Sequence, residues 1–371
     1  MIDRQTLDRG TLDRLVLERL DNGGPVQQGS IPGAVVLVAH GGELAHLSAH
    51  GDAVRYSTGA GEPAADHVPM STDTIFDLAS ITKLFTAAVA LTAVESGVVN
   101  LDDRVAAYLP GFRAGVTLRQ LLVHVSGLPA VRQLWSVPGG RQERSAALLN
   151  TVADAAPGER YVYSCVGYLV TGLLLERVLG TSLPELVARH ITEPLGMADT
   201  AFCPDPAKLP RVAATEDSSH VGRGMVRGEV HDEASWSLGG TGGNAGLFGT
   251  ALDLLKFAEM LRRGGRHPET GAQVLAAESV AAMTTNQLRR DLRDAVGYGQ
   301  GIGPRIADRT FMGSRTSGRS FGHSGFTGTS LVVDPERELV VIILANAVHP
   351  VRGRTPMGPL RSAIADAAAG G

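Results

Sequence analysis

Apolar and polar positions along the chain predict strands near both ends and a long helical block between them. Apolar residues at helical spacing between Leu7 and Leu20 predict an amphipathic first helix. The run Pro32 to Ala39 ends at His40-Gly41-Gly42, which predicts a strand, a tight turn and a second strand. Residues 55 to 69 are rich in glycine and proline and are predicted to form a loop.

The segment from Leu78 to Val94 is almost entirely apolar or small, and Lys83 is its only charge. Such a run predicts a helix that is buried on all sides. Ser80 precedes Lys83 by three residues, so both side chains lie on one face at the helix start, where free N–H groups favour developing negative charge. Burial lowers the pKa of a lysine, so we expect Lys83 to act as a neutral base toward Ser80. The spacing is the S-x-x-K signature of active-site serine enzymes.

The rest of the chain continues this division. A helical pattern extends from residue 84 to about 200, and residues 203 to 250 are predicted to form a long loop before a helix at Ala251 to Leu261. Two β-branched runs, Gly325 to Val333 and Leu339 to Leu344, flank a short polar turn and predict an antiparallel hairpin. A last helix is predicted at Gly358 to Ala369.

This order of elements predicts one domain of the α/β class spanning residues 1–371. We expect an α/β part built from about residues 1–79 and 270–371, and an inserted, mostly helical part at about 80–269. A cleft between two such parts is the usual place for a small-molecule site.

Composition narrows the function classes. The formal net charge of −4 gives no basic excess, so we expect neither a nucleic acid nor a membrane as partner. Two cysteines, Cys165 and Cys203, are too few for a disulfide framework. The first residues hold no continuous apolar stretch, so they predict neither a signal peptide nor a membrane anchor, and we expect a cytoplasmic protein.

Two further segments carry candidate chemistry. Tyr163 follows a Pro-Gly turn, and His323-Ser324-Gly325 heads the predicted hairpin, with glycines on both sides of the histidine. Glycine within a strand indicates that something approaches the backbone closely.

Ser80 with Lys83, Tyr163, and His323 to Gly325 resemble, in order and spacing, the three motifs of the β-lactamase and penicillin-binding-protein superfamily. The similarity is greatest to its class C branch, which includes family VIII carboxylesterases and related acyltransferases. Further matching segments span most of the chain: Thr74 to Ala79, Leu118 to Pro129, Glu193 to Met197, His231 to Ala234, Gly246 to Phe248 and Phe326 to Pro335.

The resemblance implies a class C fold, with an antiparallel sheet flanked by helices, an inserted helical subdomain and the active site between them. It implies that Ser80 is the nucleophile of an acyl-enzyme and that Lys83 and Tyr163 share the proton, with the ammonium lowering the tyrosine pKa. The backbone N–H groups of Ser80 and Phe326 would form the oxyanion hole, and Gly325 would let the substrate approach the backbone. No cofactor and no metal are implied.

Cys165, His323, Ser324, Gly325 and Trp236 are the expected pocket residues. Cys165 stands where the superfamily usually has asparagine, and His323 stands where it usually has lysine. A thiol is a poor hydrogen-bond donor, and a histidine with the ordinary pKa of about 6.5 is mostly neutral at pH 7. Both changes weaken recognition of an anionic β-lactam.

The favoured function is therefore acyl transfer from a small ester, thioester or activated amide. Transfer to water would make the protein a carboxylesterase, and transfer to an amine or alcohol would make it a transacylase. The alternatives within the superfamily are a β-lactamase, a D-amino-acid peptidase or amidase, and a binding module that is acylated without turnover. We expect the loops at 131–146, 203–245 and 303–320 to carry specificity.

Three other interpretations lack supporting pattern. Gly240 to Ala245 matches the dinucleotide fingerprint, but no apolar strand precedes it. His231-Asp232-Glu233 has no partner at metal-site spacing and is interpreted as structural or pocket-lining. Cys165 as a nucleophile has no activating neighbour in sequence.

Overall fold

The computed structural model describes residues 7–21 and 26–370. The α-helices are α1 (Arg9–Leu17), α2 (Thr82–Glu95), α3 (Leu118–Leu122), α4 (Arg141–Leu149), α5 (Cys165–Leu179), α6 (Leu183–Val187), α7 (Glu233–Ser237), α8 (Ala251–Arg262), α9 (Ala277–Thr284), α10 (Arg290–Val296), α11 (Arg309–Met312) and α12 (Gly358–Ala369). The strands are β1 (Gly33–His40), β2 (Glu43–Tyr56), β3 (Pro63–Pro69), β4 (Phe76–Asp77), β5 (Ala201–Phe202), β6 (Ala214–Asp217), β7 (Met225–Arg227), β8 (Leu247–Gly249), β9 (Gly299–Gln300), β10 (Arg305–Ile306), β11 (Phe321–Ser324), β12 (Ser330–Asp334) and β13 (Leu339–Ala345).

One antiparallel sheet joins the two ends of the chain. Its eight strands follow the order β3-β2-β1-β13-β12-β11-β10-β9. Strand β1 pairs with β13 from Ala34 opposite Ala345 to His40 opposite Leu339, and β12 and β13 form the predicted hairpin. The predicted fold class is confirmed. The proposed division of the chain near residues 80 and 270 stays a prediction.

Both faces of the central strands β1, β13 and β12 are buried, and β1 shows why. Successive side chains of a strand point to opposite faces. Val35 and Leu37 join the larger apolar core, whereas Val36 and Val38 join a second core on the other face. A strand that is covered on both sides needs apolar residues at every position, which accounts for the continuous apolar run in the sequence.

Different helices cover the two faces. Helix α8 packs across β13, β12 and β1, and helix α12 packs against β13 on the face that α1 also covers. Helix α2 lies in the larger core and contacts α5, α6 and α9. Phe85 of α2 stacks on Phe257 of α8 with ring centroids 4.1 Å apart, so α8 connects the sheet to the helix that carries Lys83.

Two segments contain more regular structure than predicted. Residues 63–69 form edge strand β3 rather than a loop, because Val68 lies opposite Val54 and the prolines stand at the strand ends, where no ladder hydrogen bond is lost. Residues 203–250 hold short elements, including β6, β7, α7 and β8, whose few residues give no measurable periodicity.

The described part of the chain holds no single helix that is long and apolar enough to cross a membrane. One pair of helices, Cys165–Leu179 and Leu183–Thr192, reaches the required length and composition together, but the pair is bent by 80°.

The contact between Phe85 and Phe257 predicts a large effect of Phe257→Ala on stability. Removing a fully buried phenylalanine costs about 3–5 kcal/mol, whereas Leu252→Ala on the same helix, where Leu252 is 41% exposed, should cost about 1 kcal/mol or less. Urea unfolding monitored by circular dichroism measures both. Equal losses in the two variants would contradict the packing of α8 described above.

Candidate active site

Ser80 lies in a 3-10 turn, Ala79–Ile81, between β4 and α2. Ala79 has a φ of +47°, which an L-residue adopts only when its surroundings impose it. Asp77 imposes this turn, since one carboxylate oxygen accepts the Ala79 N–H at 2.8 Å and the other accepts the His231 N–H at 2.6 Å. The turn leaves Ser80 partly exposed at the start of a buried helix.

Lys83 is fully buried, and its ammonium has three acceptors. Its Nζ lies 2.9 Å from Ser80 Oγ, 3.0 Å from the Asn244 carbonyl oxygen and 3.6 Å from Cys165 Sγ. An ammonium has three protons to donate, so each finds a partner inside an otherwise apolar helix environment. The predicted face shared by Ser80 and Lys83 is therefore present.

Tyr163 and His323 complete the cluster. Lys83 Nζ lies 5.0 Å from the centroid of the Tyr163 ring, and Tyr163 Oη lies 3.4 Å from His323 Nε2. His323 Nδ1 lies 2.8 Å from the Ser324 carbonyl oxygen. Because a carbonyl only accepts, Nδ1 carries the proton and Nε2 is left to accept from Tyr163. The structure thus brings all three predicted motifs together.

The expected pKa shifts of Lys83 and Tyr163 are wrong in direction. Burial alone lowers the pKa of Lys83, but the adjacent Cys165 and Tyr163 side chains favour the ammonium more strongly, so this pKa is raised. Burial raises the pKa of Tyr163 by more than the nearby Lys83 lowers it. In the free protein the pair is therefore an ammonium beside a neutral phenol.

His323 is neutral, as its ordinary pKa predicted. Burial lowers the pKa of His323 well below its usual range, and the positive charges of Lys83 and Arg305 add to the effect. The third motif thus presents an uncharged imidazole where the superfamily usually has a permanent cation.

The loop from residue 325 to 329 lies directly against the Ser80 turn. Thr327 Oγ1 donates to the Asp77 carbonyl at 2.8 Å, and Thr329 Oγ1 donates to the Leu78 carbonyl at 3.1 Å. Among the described residues, the Phe326 N–H donates to no backbone carbonyl. A backbone donor held beside the candidate nucleophile is what an oxyanion hole requires.

Gly325 is required by the packing of the loop against the Ser80 turn. A Cβ at this position would lie 2.1 Å from Thr329 Oγ1, 2.7 Å from the Leu78 carbonyl oxygen and 3.2 Å from Ala79 Cβ. The expected close approach to the backbone is present, and the approaching atoms belong to Thr329 and to the Ser80 turn. That Gly325 also lets a substrate approach the backbone stays a prediction.

The segment Gly240 to Ala245 packs against α2. The Gly243 carbonyl accepts from Thr86 Oγ1 at 2.8 Å, and the next carbonyl, that of Asn244, accepts from Lys83. The Asn244 side chain is fully buried, and its amide has no partner among the described residues. The sequence of this segment indicates only a weak dinucleotide fingerprint, and it gives no sign of the contact with Lys83.

His124 and Arg305 were also missed. The His124 Nδ1 accepts the Ser164 N–H at 3.0 Å, and its ring centroid lies 4.6 Å from that of Tyr163. The Arg305 guanidinium lies 5.1 Å from the Tyr163 ring centroid and pairs with Asp308 at 2.9 Å. His124 stands inside the matching segment Leu118 to Pro129, which was the only signal for it, and Arg305 was included only as part of the loop at 303–320 that is expected to carry specificity.

His231 belongs to a buried charged cluster beside the site. Its Nε2 lies 2.7 Å from Glu216, which also pairs with Arg352 at 2.6 Å. The His231 ring stacks on Phe326 with centroids 5.6 Å apart. Within the described residues no group of three or more His, Cys, Asp or Glu side chains could hold a metal ion. The cluster supports the ring of Phe326, whose side chain is 60% exposed.

Trp236 lies on α7, and Asp232 directly precedes this helix. The Asp232 carboxylate accepts the Ser235 N–H at 2.7 Å and caps this helix. The Trp236 ring contacts the Arg223 guanidinium at 4.7 Å. No hydrogen bond or ring contact in the described part of the chain joins Trp236 to Ser80, so its place in the pocket stays a prediction.

Comparisons with known proteins found a matching family and related chains. The family described as Beta-lactamase matches residues 12–366. A protein of Escherichia coli (strain K12), named a putative D-alanyl-D-alanine carboxypeptidase, is 31% identical over 351 residues, which cover 86% of this chain and 79% of that protein.

Two solved structures share the fold. EstCE1, a hydrolase with promiscuous acyltransferase activity, superposes with a TM-score of 0.73 at 23% identity, covering 98% of this chain and 99% of its own. Unliganded simvastatin synthase (LovD) from Aspergillus terreus gives 0.71 at 21% identity, with 97% and 96% covered.

The close approach at Gly325 predicts that Gly325→Ala separates the loop from the Ser80 turn. Overpacking of this kind typically costs about 1–3 kcal/mol, so we expect a lower melting temperature together with loss of most activity that depends on Ser80. Gly318→Ala is the control, because a Cβ there meets no atom within 4 Å. Parent-like melting and activity in Gly325→Ala would contradict the geometry of this loop.

Proposed function

The chain belongs to the beta-lactamase family, and from this premise we propose that it is a serine acyl-transfer enzyme that forms an acyl-Ser80 intermediate. The observation that carries the proposal is the 2.9 Å contact between the buried Lys83 Nζ and Ser80 Oγ. A hydroxyl is a weak nucleophile until an adjacent base accepts its proton. Lys83 and Tyr163 are the groups in place to do so.

The proposed reaction has two halves, acylation of Ser80 and transfer of the acyl group to an acceptor. Ser80 Oγ bonds to the acyl carbon as its proton passes to the deprotonated Lys83–Tyr163 pair. The carbonyl electrons move onto oxygen, where the N–H groups of Ser80 and Phe326 stabilise the charge. Collapse of this intermediate expels the leaving group, which takes the proton from the pair. An acceptor, which is water, an amine or an alcohol, then attacks the acyl carbon and gives its proton to the pair. The bond between the acyl carbon and Ser80 Oγ breaks, the acylated product leaves, and Ser80 Oγ takes the proton back.

The favoured donor is a small ester, thioester or activated amide. Neutral His323 offers no fixed charge to a substrate carboxylate, and the Cys165 thiol is a weak hydrogen-bond donor. Both features disfavour an anionic β-lactam. With water as acceptor the protein is a carboxylesterase, and with an amine or alcohol it is a transacylase. EstCE1, which shares the fold, is a hydrolase with promiscuous acyltransferase activity.

A D-amino-acid peptidase is the second candidate. The name of the E. coli relative supports it, and Arg305, which stacks on Tyr163, is a cation beside the site that the third motif lacks. Its pairing with Asp308 leaves only part of its hydrogen-bonding capacity for a peptide carboxylate. Comparing turnover of a D-alanyl-D-alanine peptide with that of its methyl ester separates the two candidates, since only a peptidase that uses Arg305 prefers the free acid.

The first experiment is intact-protein mass spectrometry after brief mixing with a short-chain p-nitrophenyl ester. We expect the parent to gain one acyl group and to continue releasing p-nitrophenol, whereas Ser80→Ala gains none. Ser96→Ala is the control, because this exposed serine lies at the other end of α2. An adduct on the parent that is never released would favour a binding module, and an adduct on Ser80→Ala would contradict the proposal. Candidate amines and alcohols then identify the acceptor.

The raised pKa values of Lys83 and Tyr163 predict that acylation accelerates with increasing pH. Both groups are protonated at neutral pH, and the base forms only when the pair loses a proton, so kcat/KM should rise into the alkaline range. Tyr163→Phe should lower the rate by about a hundredfold or more and change the profile. In Tyr161→Phe the profile should match that of the parent, because burial raises the Tyr161 pKa far beyond the measured range. A rate that falls as pH increases would contradict this assignment of the base.

A further inference from the structure

The loop at residues 325–329 is held from behind by Arg361 of α12. One nitrogen of this side chain, Nη2, donates to the Gly325 carbonyl at 2.8 Å and to the Thr329 carbonyl at 2.9 Å. The Thr329 carbonyl also accepts the Gly325 N–H at 2.7 Å. Arg361 therefore bridges the two ends of the turn that carries the Phe326 N–H.

Arg361 has no carboxylate partner in the part of the chain that the structure describes. Among the described residues no Asp or Glu forms an ion pair with it, and its buried Nε has no partner. Arg354, another buried arginine, pairs with Asp21 at 2.7 Å instead. Burial lowers the pKa of Arg361 to about 10, which still leaves it charged at neutral pH. The positive charge thus acts on the carbonyl groups that it contacts.

The contact with Gly325 has a direct consequence for the oxyanion hole. The carbonyl of Gly325 and the N–H of Phe326 belong to one peptide unit, and in a trans peptide they point in opposite directions. A cation at the oxygen increases the polarisation of this unit and makes its N–H a stronger donor, because hydrogen bonds in series reinforce one another in a low-dielectric environment.

We propose that Arg361 is a positioning residue that fixes the 325–329 turn and, through the Gly325–Phe326 peptide unit, strengthens the N–H that stabilises the oxyanion. This inference rests on the proposed acyl transfer at Ser80. It assigns to the last helix of the chain a role in the reaction, although Arg361 touches neither the substrate nor the nucleophile.

A purely structural role and the proposed role predict different measurements. Thr327 and Thr329 already fasten the loop to the Ser80 turn, so loss of Arg361 should leave the loop in place but weaken its donor. Arg361→Lys retains the charge, Arg361→Gln retains a hydrogen-bond donor, and Arg361→Met retains only an unbranched side chain. Arg290→Met, which removes a surface arginine whose side chain is 89% exposed, is the control for net charge.

The experiment combines stopped-flow acylation by a p-nitrophenyl ester with infrared spectra of the acyl-enzyme, using an isotope-labelled acyl carbonyl. We expect acylation to slow by about tenfold in Arg361→Met, less than the hundredfold or more that follows removal of an oxyanion donor, with KM unchanged. The carbonyl stretch should move to higher frequency in Arg361→Met, move less in Arg361→Lys, and stay unchanged in Arg290→Met.

Each other result overturns the inference. A folded Arg361→Met with the parent's acylation rate and carbonyl frequency would show that the arginine is irrelevant to the hole. Slower acylation with an unchanged frequency would reduce Arg361 to a structural contact. If Arg361→Met does not fold, Arg361→Lys and Arg361→Gln decide, because equal frequencies in these two would exclude an effect of charge. A parent protein that forms no adduct refutes the proposed function itself.

Discussion

The buried ammonium of Lys83 is the constraint on which the site depends. A charge inside an apolar core is costly unless every proton finds an acceptor. One acceptor of Lys83 is the nearby Ser80, whereas the other two, Cys165 and Asn244, are distant in sequence. Helix α5 and the loop before β8 must therefore close on α2 together. The glycines of that loop permit this approach, since a Cβ at Gly243 would lie 2.2 Å from the Tyr168 carbonyl oxygen.

The second half of the site is built from the sheet. The 325–329 loop joins β11 to β12, and its threonines donate to the carbonyls of Asp77 and Leu78, just before the Ser80 turn. Asp77 fixes the same turn from the other side. The geometry between Ser80 and the Phe326 N–H is thus set by short-range contacts between two chain segments about 250 residues apart.

In the proposed function, charge distinguishes this site from one that binds an anionic β-lactam. Lys83 contacts Ser80, and Arg305 is stacked on Tyr163 and paired with Asp308. The third motif contributes a neutral imidazole whose free nitrogen accepts from Tyr163. His323 therefore contacts Tyr163 and offers no fixed charge to a substrate carboxylate, a difference in electrostatics on a shared fold.

Residue order alone is enough to predict the elements with long, clear patterns: the buried helix with its single lysine, the apolar strands β1 and β13, and the three motifs. These follow from local spacing and burial periodicity, which a chain carries in its order of residues. Short elements such as β6 and α7 lack enough residues for a period, and β3 forms only because β2 offers it a partner edge. The pKa directions of Lys83 and Tyr163, the contacts of Asn244 and Arg361, and the reason for Gly325 were decided by tertiary structure. Each depends on distances between groups remote in sequence, and electrostatic and steric energies are set by those distances.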